Sequence, residues 1–176
     1  NQNSLSVIKN ISKKNILDQT SFSSKIDFTT GLSPIAMKLC DINNDYKLDV
    51  VVANYNGNTI SVFQNKSIFG IFTQSTYKDK FDLPTGNQPI DVELLGGGIG
   101  FLVANYNSNT ISVIQRKSSS YQLTYVNDTC YNLVNLINTK KQPFNLLAVD
   151  LNNDNKLEII FTNPASATFS IIPNIS

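Results

Sequence analysis

Two nine-residue stretches carry an oxygen-bearing side chain at nearly every second position and then run straight into apolar residues. The first is Asp41-Ile42-Asn43-Asn44-Asp45-Tyr46-Lys47-Leu48-Asp49, followed by Val50-Val51-Val52-Ala53. The second is Asp150-Leu151-Asn152-Asn153-Asp154-Asn155-Lys156-Leu157-Glu158, followed by Ile159-Ile160-Phe161. Alternating carboxylate and amide oxygens on a tight loop suit a hard cation such as Ca²⁺, which takes about six to eight oxygen ligands at roughly 2.3–2.6 Å. Carboxylates packed this densely repel one another unless a cation lies between them.

An Asp-x-Asn-x-Asp start also opens an EF-hand loop, but that loop needs a bidentate Glu at its twelfth position and a helix on each side. The twelfth positions here are Val52 and Phe161, each inside an apolar β-branched or aromatic run. The acid falls instead at the ninth position, Asp49 or Glu158, and the loop is expected to join two strands as a hairpin.

The elements around these loops repeat. Gly31-Leu32-Ser33-Pro34 returns as Gly86-Asn87-Gln88-Pro89 and, more weakly, as Lys140-Lys141-Gln142-Pro143, the prolines lying 55 and then 54 residues apart. Ala53-Asn54-Tyr55-Asn56-Gly57-Asn58-Thr59-Ile60-Ser61-Val62 matches residues 104–113 at nine of ten positions, and degenerate copies occur at residues 3–7 and 167–171. Each unit divides into four short strands: residues 34–40; a fully buried β-branched strand at 48–53; a period-two strand at 59–63 after a turn at 54–58; and a polar outer strand within 72–81. Four-stranded units of about 50 residues predict an all-β fold of β-propeller blades. The expected division is a partial blade at 1–33, a blade with an acidic loop at 34–88, a blade without one at 89–142, and a partial blade with one at 143–176. The middle unit has Gly96-Gly97-Gly98-Ile99-Gly100 in place of the acids, which fits no phosphate-binding glycine motif and predicts a tight hairpin.

The acidic loop, the Thr-Gly-x-x-Pro lead-in and the Ala-Asn-Tyr-x-x-Asn-Thr-Ile-Ser-Val segment together resemble the FG-GAP/VCBS repeat family, the blades of integrin-α-like propellers. The resemblance spans essentially the whole chain and is most specific over residues 28–63. It implies calcium held by the side chains of Asp41, Asn43, Asp45 and Asp49 and the carbonyl of Lys47. A second set would be Asp150, Asn152, Asp154 and Glu158 with the carbonyl of Lys156. The family has glycine at the sixth loop position, where this chain has Tyr46 and Asn155, and Glu158 is one methylene longer than the usual Asp. It also implies ligand contacts from the opposite rim, where Tyr55, Asn56, Asn58, Tyr106, Asn107 and Asn109 lie, with a protein or a glycan as partner. Asn/Gly-rich turns with tyrosines packed between blades explain the same residues without a ligand.

The remaining composition bounds the function. Histidine and tryptophan are absent and the net charge is +1, so the commonest general base is missing and no global field favours nucleic acid. No nucleophile elbow or paired carboxylates outside the acidic loops support an enzyme, leaving a lyase or phospholipase only as a neighbour in a larger polypeptide. No apolar run reaches the length of a membrane span. Cys40 and Cys130 are expected as small hydrophobes, with a disulfide between them as the alternative. Sequons at Asn10, Asn65, Asn127 and Asn174 arise readily in so asparagine-rich a chain, but a glycoprotein fits. The expectation is a noncatalytic, calcium-stabilised extracellular or cell-surface module for recognition or adhesion, the alternative being a lectin-like propeller. Three repeats predict part of a longer propeller or a ring completed by a homodimer.

Overall fold

Alternation of β-branched and polar residues between Asn/Gly turns gives this chain strands and leaves no helix-period segment to compete with them. The computed structural model describes residues 3–13, 16–68, 71–77, 80–117 and 127–174. Strands β1 (Ser4–Val7) and β2 (Ile26–Thr29) form a first sheet. The second sheet is β3 (Pro34–Cys40), β4 (Asp49–Asn54), β5 (Thr59–Phe63) and β6 (Phe81–Pro84). The third is β7 (Pro89–Leu95), β8 (Gly100–Asn105), β9 (Thr110–Arg116) and β10 (Tyr131–Asn138), and the fourth is β11 (Leu146–Val149), β12 (Glu158–Asn163) and β13 (Thr168–Ile172). Every neighbouring pair is antiparallel and sequential, so the protein is all-β, built of meander sheets with the strand content expected of blades and partial blades. Among the described residues no helix is long and apolar enough to cross a membrane.

The sheets stack face to face. β7 packs on β3 and β4, and β11 packs on β7 and β8. Every residue of β4 and of β8 is buried, because these second strands meet a sheet on each side. Ile42, Val51, Ile60 and Val62 of the second unit meet Val92, Phe101, Val103 and Ile114 of the third in one core cluster. A second cluster joins Leu102 and Ile111 to Leu146 and Phe161. At the ends the same positions lie open: Ile35, Met37 and Leu39 on β3, and Leu147, Phe169 and Ile171 on the last sheet, are exposed.

The repeated Asn-Tyr segment has a structural cause. Asn54 Nδ2 donates to Thr59 Oγ1 at 3.0 Å and Ser61 Oγ at 2.9 Å, and Asn105 Nδ2 repeats this to Thr110 and Ser112 at 3.1 and 2.8 Å. The lead-in glycine closes the network: Gly31 N–H donates to Asn54 Oδ1 and to Ser61 Oγ, both at 3.1 Å. A Cβ on Gly31 would stand 2.6 Å from Asn54 Nδ2, so only glycine fits that approach.

The fourth strand differs from the expectation. In the second sheet it is Phe81–Pro84, not the polar stretch within 72–81. Phe72 and Tyr77 leave that stretch to pack edge-on against Phe28 of the first sheet, with Tyr77 at 5.1 Å between ring centroids. Burial of two rings outweighs the strand propensity of the segment between them. β4 also begins and ends one residue later than read from sequence. Cys40 and Cys130 are free thiols packed in the same core cluster, and burial pushes the Cys40 thiol up to about 12.

Candidate functional site

The first acidic loop joins β3 to β4, and its backbone is wound by two left-handed residues, Asn44 (φ 60°) and Tyr46 (φ 64°). Asn153 (φ 62°) and Asn155 (φ 65°) repeat the pattern in the loop joining β11 to β12. Asparagine tolerates this region, while a tyrosine there is strained. The first acid organises the turn. Asp41 accepts from the backbone N–H groups of Asn43 (3.3 Å), Asp45 (3.1 Å) and Tyr46 (2.7 Å). Asp150 does the same for Asn152, Asn153, Asp154 and Asn155. The fifth-position acid holds the next turn: Lys47 N–H donates to Asp45 at 3.0 Å, and Lys156 N–H to Asp154 at 2.9 Å.

The ninth-position acid closes each loop. Asp49 is fully buried and accepts from Ile42 N–H at 2.8 Å and Asn65 N–H at 2.6 Å. Glu158, also buried, accepts from Leu151 N–H at 2.9 Å, so its extra methylene still reaches the equivalent amide. Burial pushes the Asp49 carboxyl up to about 6; the amides of Asn65 and Ile42 oppose the shift, while the charges of Asp45 and Asp41 add to it. Asp45 and Asp41 therefore both lie within electrostatic reach of Asp49.

Asn43 distinguishes the first loop. It is 2% exposed, its Nδ2 donates to Asp45 at 3.0 Å, and its Oδ1 is buried with no hydrogen-bond partner. An orphaned buried oxygen costs about 1–3 kcal/mol, and an oxygen-seeking cation would satisfy it. In the second loop the equivalent Asn152 is exposed and its Oδ1 already accepts from Asp154 N–H at 3.0 Å. Among the described residues no three acidic, cysteine or histidine side chains are gathered closely enough to hold a metal ion by themselves. The first loop supplies oxygen donors of the class a hard cation takes, three carboxylates and the unpartnered Asn43 amide oxygen.

The neighbouring sheet clamps the first loop. Ile42 is fully buried in the cluster shared with the third sheet, and Arg116 Nη1 donates to its carbonyl at 3.3 Å. The hairpin of the middle unit, which lacks the alternating acids, is a short 3₁₀ turn, Gly96–Gly98, as expected of a tight connection. A Cβ on Gly98 (φ 70°) would lie 2.9 Å from the Asp41 carbonyl oxygen, so this turn fits beneath the first loop because it is glycine. Among the described residues nothing covers the second loop in this way, and Leu151, the counterpart of Ile42, is exposed.

The hairpins at the other end of the sheets carry the residues considered for ligand contact. Tyr55 Oη donates to Gln88 at 2.9 Å, and Asn58 Oδ1 accepts from Gln88 N–H at 2.9 Å. Asn56 Nδ2 donates to Ser33 at 2.7 Å. Tyr106 stands edge-on to Phe144 with centroids 6.4 Å apart, and the carbonyl of Asn109 accepts from Thr139 N–H at 2.9 Å. Asn107 is exposed at the tip of its turn. Both tyrosines thus engage the lead-in of the following unit.

Three aromatics that sequence reading passed over share a place in the repeat. Phe22 bridges to Asn10 and Tyr77 to Asn65, each partner lying just beyond a third strand, and Tyr131 pairs with Arg116, the last residue of β9. The available signal was the run of small polar residues before each ring, Gln19-Thr20-Ser21, Gln74-Ser75-Thr76 and Asp128-Thr129-Cys130. No family model matches this chain and no curated protein matches it either.

Proposed function

We propose that the chain is a noncatalytic propeller module whose first acidic hairpin binds Ca²⁺ and thereby stiffens a recognition surface outside the cell. The observation that carries the reading is the buried, unpartnered Oδ1 of Asn43 in a loop that also bears Asp41, Asp45 and Asp49. The second hairpin has the same backbone and, being exposed, binds more weakly. The ion offsets repulsion among the acids and links folding to metal concentration. Hairpin sites in extracellular modules typically work at roughly 10⁻⁴–10⁻³ M calcium, which suits that setting.

Recognition of a protein partner fits better than a sugar platform, because the two rim tyrosines that would stack on a glycan are engaged with Gln88 and Phe144. The apolar end faces favour a larger ring of which these sheets are part, with a homodimer as the other way to close it. The test is a melting curve in millimolar calcium against excess EGTA, with Asp49→Asn alongside. Calcium should raise the wild-type transition by several degrees and the variant's by much less. Superimposable wild-type curves would remove the proposal.

A further inference from the structure

The ninth acid of the first hairpin is held by a residue from outside the loop. Asn65, two residues past β5, gives its backbone N–H to Asp49 Oδ1 at 2.6 Å and its Nδ2 to the Leu48 carbonyl at 2.9 Å. The side-chain Oδ1 accepts from Ser67 N–H at 2.8 Å, so the amide group is fixed by its own turn. The third sheet differs at the equivalent place. There Gly100 stands where Asp49 stands by ladder register, and Arg116 N–H goes to the Ile99 carbonyl at 2.8 Å instead of a carboxylate. The contacts of Asn65 therefore belong to the acidic hairpin and not to the end of a third strand in general.

Asn65 also leads to the neighbouring sheet. It forms an isolated antiparallel bridge with Tyr77, and Lys66 N–H donates to the Thr76 carbonyl at 2.8 Å. The Tyr77 ring packs edge-on against Phe28 of the first sheet at 5.1 Å, and against Phe63 and Phe72 at 6.2 and 6.1 Å. Phe28 and Phe63 are buried in one cluster with Val50 and Val52, the residues that follow Asp49. Burial pushes the Tyr77 phenol up and the charge of Asp49 adds to the shift, so the carboxylate lies within electrostatic reach of the ring.

We infer that Asn65 is a positioning residue for the cation site of the first hairpin, and that the aromatic joint around Tyr77 sets how tightly that site binds. The inference rests on the calcium reading above and adds the control of the same site. Asp41 and Asp45 repel Asp49 when nothing lies between them. With that repulsion relieved, Asp49 stays on the Asn65 N–H, and the bridge to Tyr77 is held with it. Such coupling is reciprocal: loosening the joint weakens binding by the factor by which binding tightens the joint.

The probe is calcium alone, titrated onto the whole 176-residue chain and followed by NMR. Amide shifts of Tyr46 and Lys47 report the hairpin, and ring-proton shifts of Phe28 and Phe72 report the joint. Both sets should move with one midpoint. Asn65→Ala and Tyr77→Leu should each raise that midpoint at least about fivefold, the lower end of ordinary coupling between sites. Phe144→Leu, which removes a ring contact at the opposite end of the sheets, should leave it unchanged. The wild-type ring shifts decide the matter even if a variant folds poorly. Hairpin amides that move while the rings stay still would overturn the inference and leave the calcium reading standing, as would an unchanged midpoint in both folded variants. Hairpin amides unmoved up to about 10 mM calcium, above the range in which extracellular sites work, would overturn both.

Discussion

Tyr46 is the residue at which backbone geometry and side-chain type are most at odds, and Tyr46→Gly should stabilise the protein. Its φ of 64° lies in the left-handed region, and its side chain is 94% exposed, so the ring contributes little packing that substitution would lose. The N–H that donates to Asp41 at 2.7 Å is retained by glycine. A left-handed conformation costs an L-residue about 1–2 kcal/mol. Glycine removes that cost but adds roughly 0.5–1 kcal/mol of unfolded-state entropy. The net gain is about 0.5–1 kcal/mol, or about 1–4 °C in Tm for a domain of this size. Tyr46→Ala is the control: it deletes the ring but keeps the Cβ, so it should fall within about 0.5 kcal/mol of wild type. Asn155→Gly should gain less, since asparagine already tolerates φ > 0. Urea unfolding in the presence and absence of calcium measures all three. Destabilisation by Tyr46→Gly, or an equal gain from alanine, would refute the strain argument.

Gly98→Ala should cost about 2 kcal/mol or more, since its Cβ would press on the Asp41 carbonyl at a positive φ; a denaturation midpoint equal to wild type would show the clamp to be loose. Asp91, half-buried on the face of β7 that meets β11, accepts from Leu146 N–H at 2.8 Å, and partial burial holds its carboxyl above the ordinary range. A raised folded-state pKa in an acid means its contribution is fully present below the unfolded value near 3.9 and is lost as pH rises through the folded value. Asp91→Asn keeps the acceptor and should flatten the fall in stability from about pH 4 to pH 7, as read from urea midpoints across that range. Glu158→Gln should leave most of the calcium-dependent rise in Tm intact, in contrast to Asp49→Asn, because the first hairpin holds the orphaned oxygen.

Strand positions were legible where burial imposes a simple pattern. The Val50-Val51-Val52-Ala53 run can only be a strand covered on both faces, and the Asn-Tyr segment repeats because Asn54 and Ser61 must meet inside each sheet. The loop acids were legible because a turn held by one carboxylate fixes their spacing. The fourth strand was not, because the connection from the third varies in length and Phe72 and Tyr77 look like isolated aromatics on a polar stretch. Their function is to cross to the neighbouring sheet, and a contact between units 40 or more residues apart leaves no local periodicity. The unequal burial of Asn43 and Asn152 was equally hidden, since their sequence contexts match and only the neighbouring hairpin separates them.

The clamp of Gly98 and Arg116 on the first hairpin has a mechanical consequence. When the chain is stretched from its two ends, the fourth sheet, covered on one face only, peels first, strand by strand, at low force. The second and third sheets, pinned to each other through Ile42, yield later and together. An optical-trap trace should therefore show a ragged early extension followed by one larger rip, and the height of that rip should depend on Gly98.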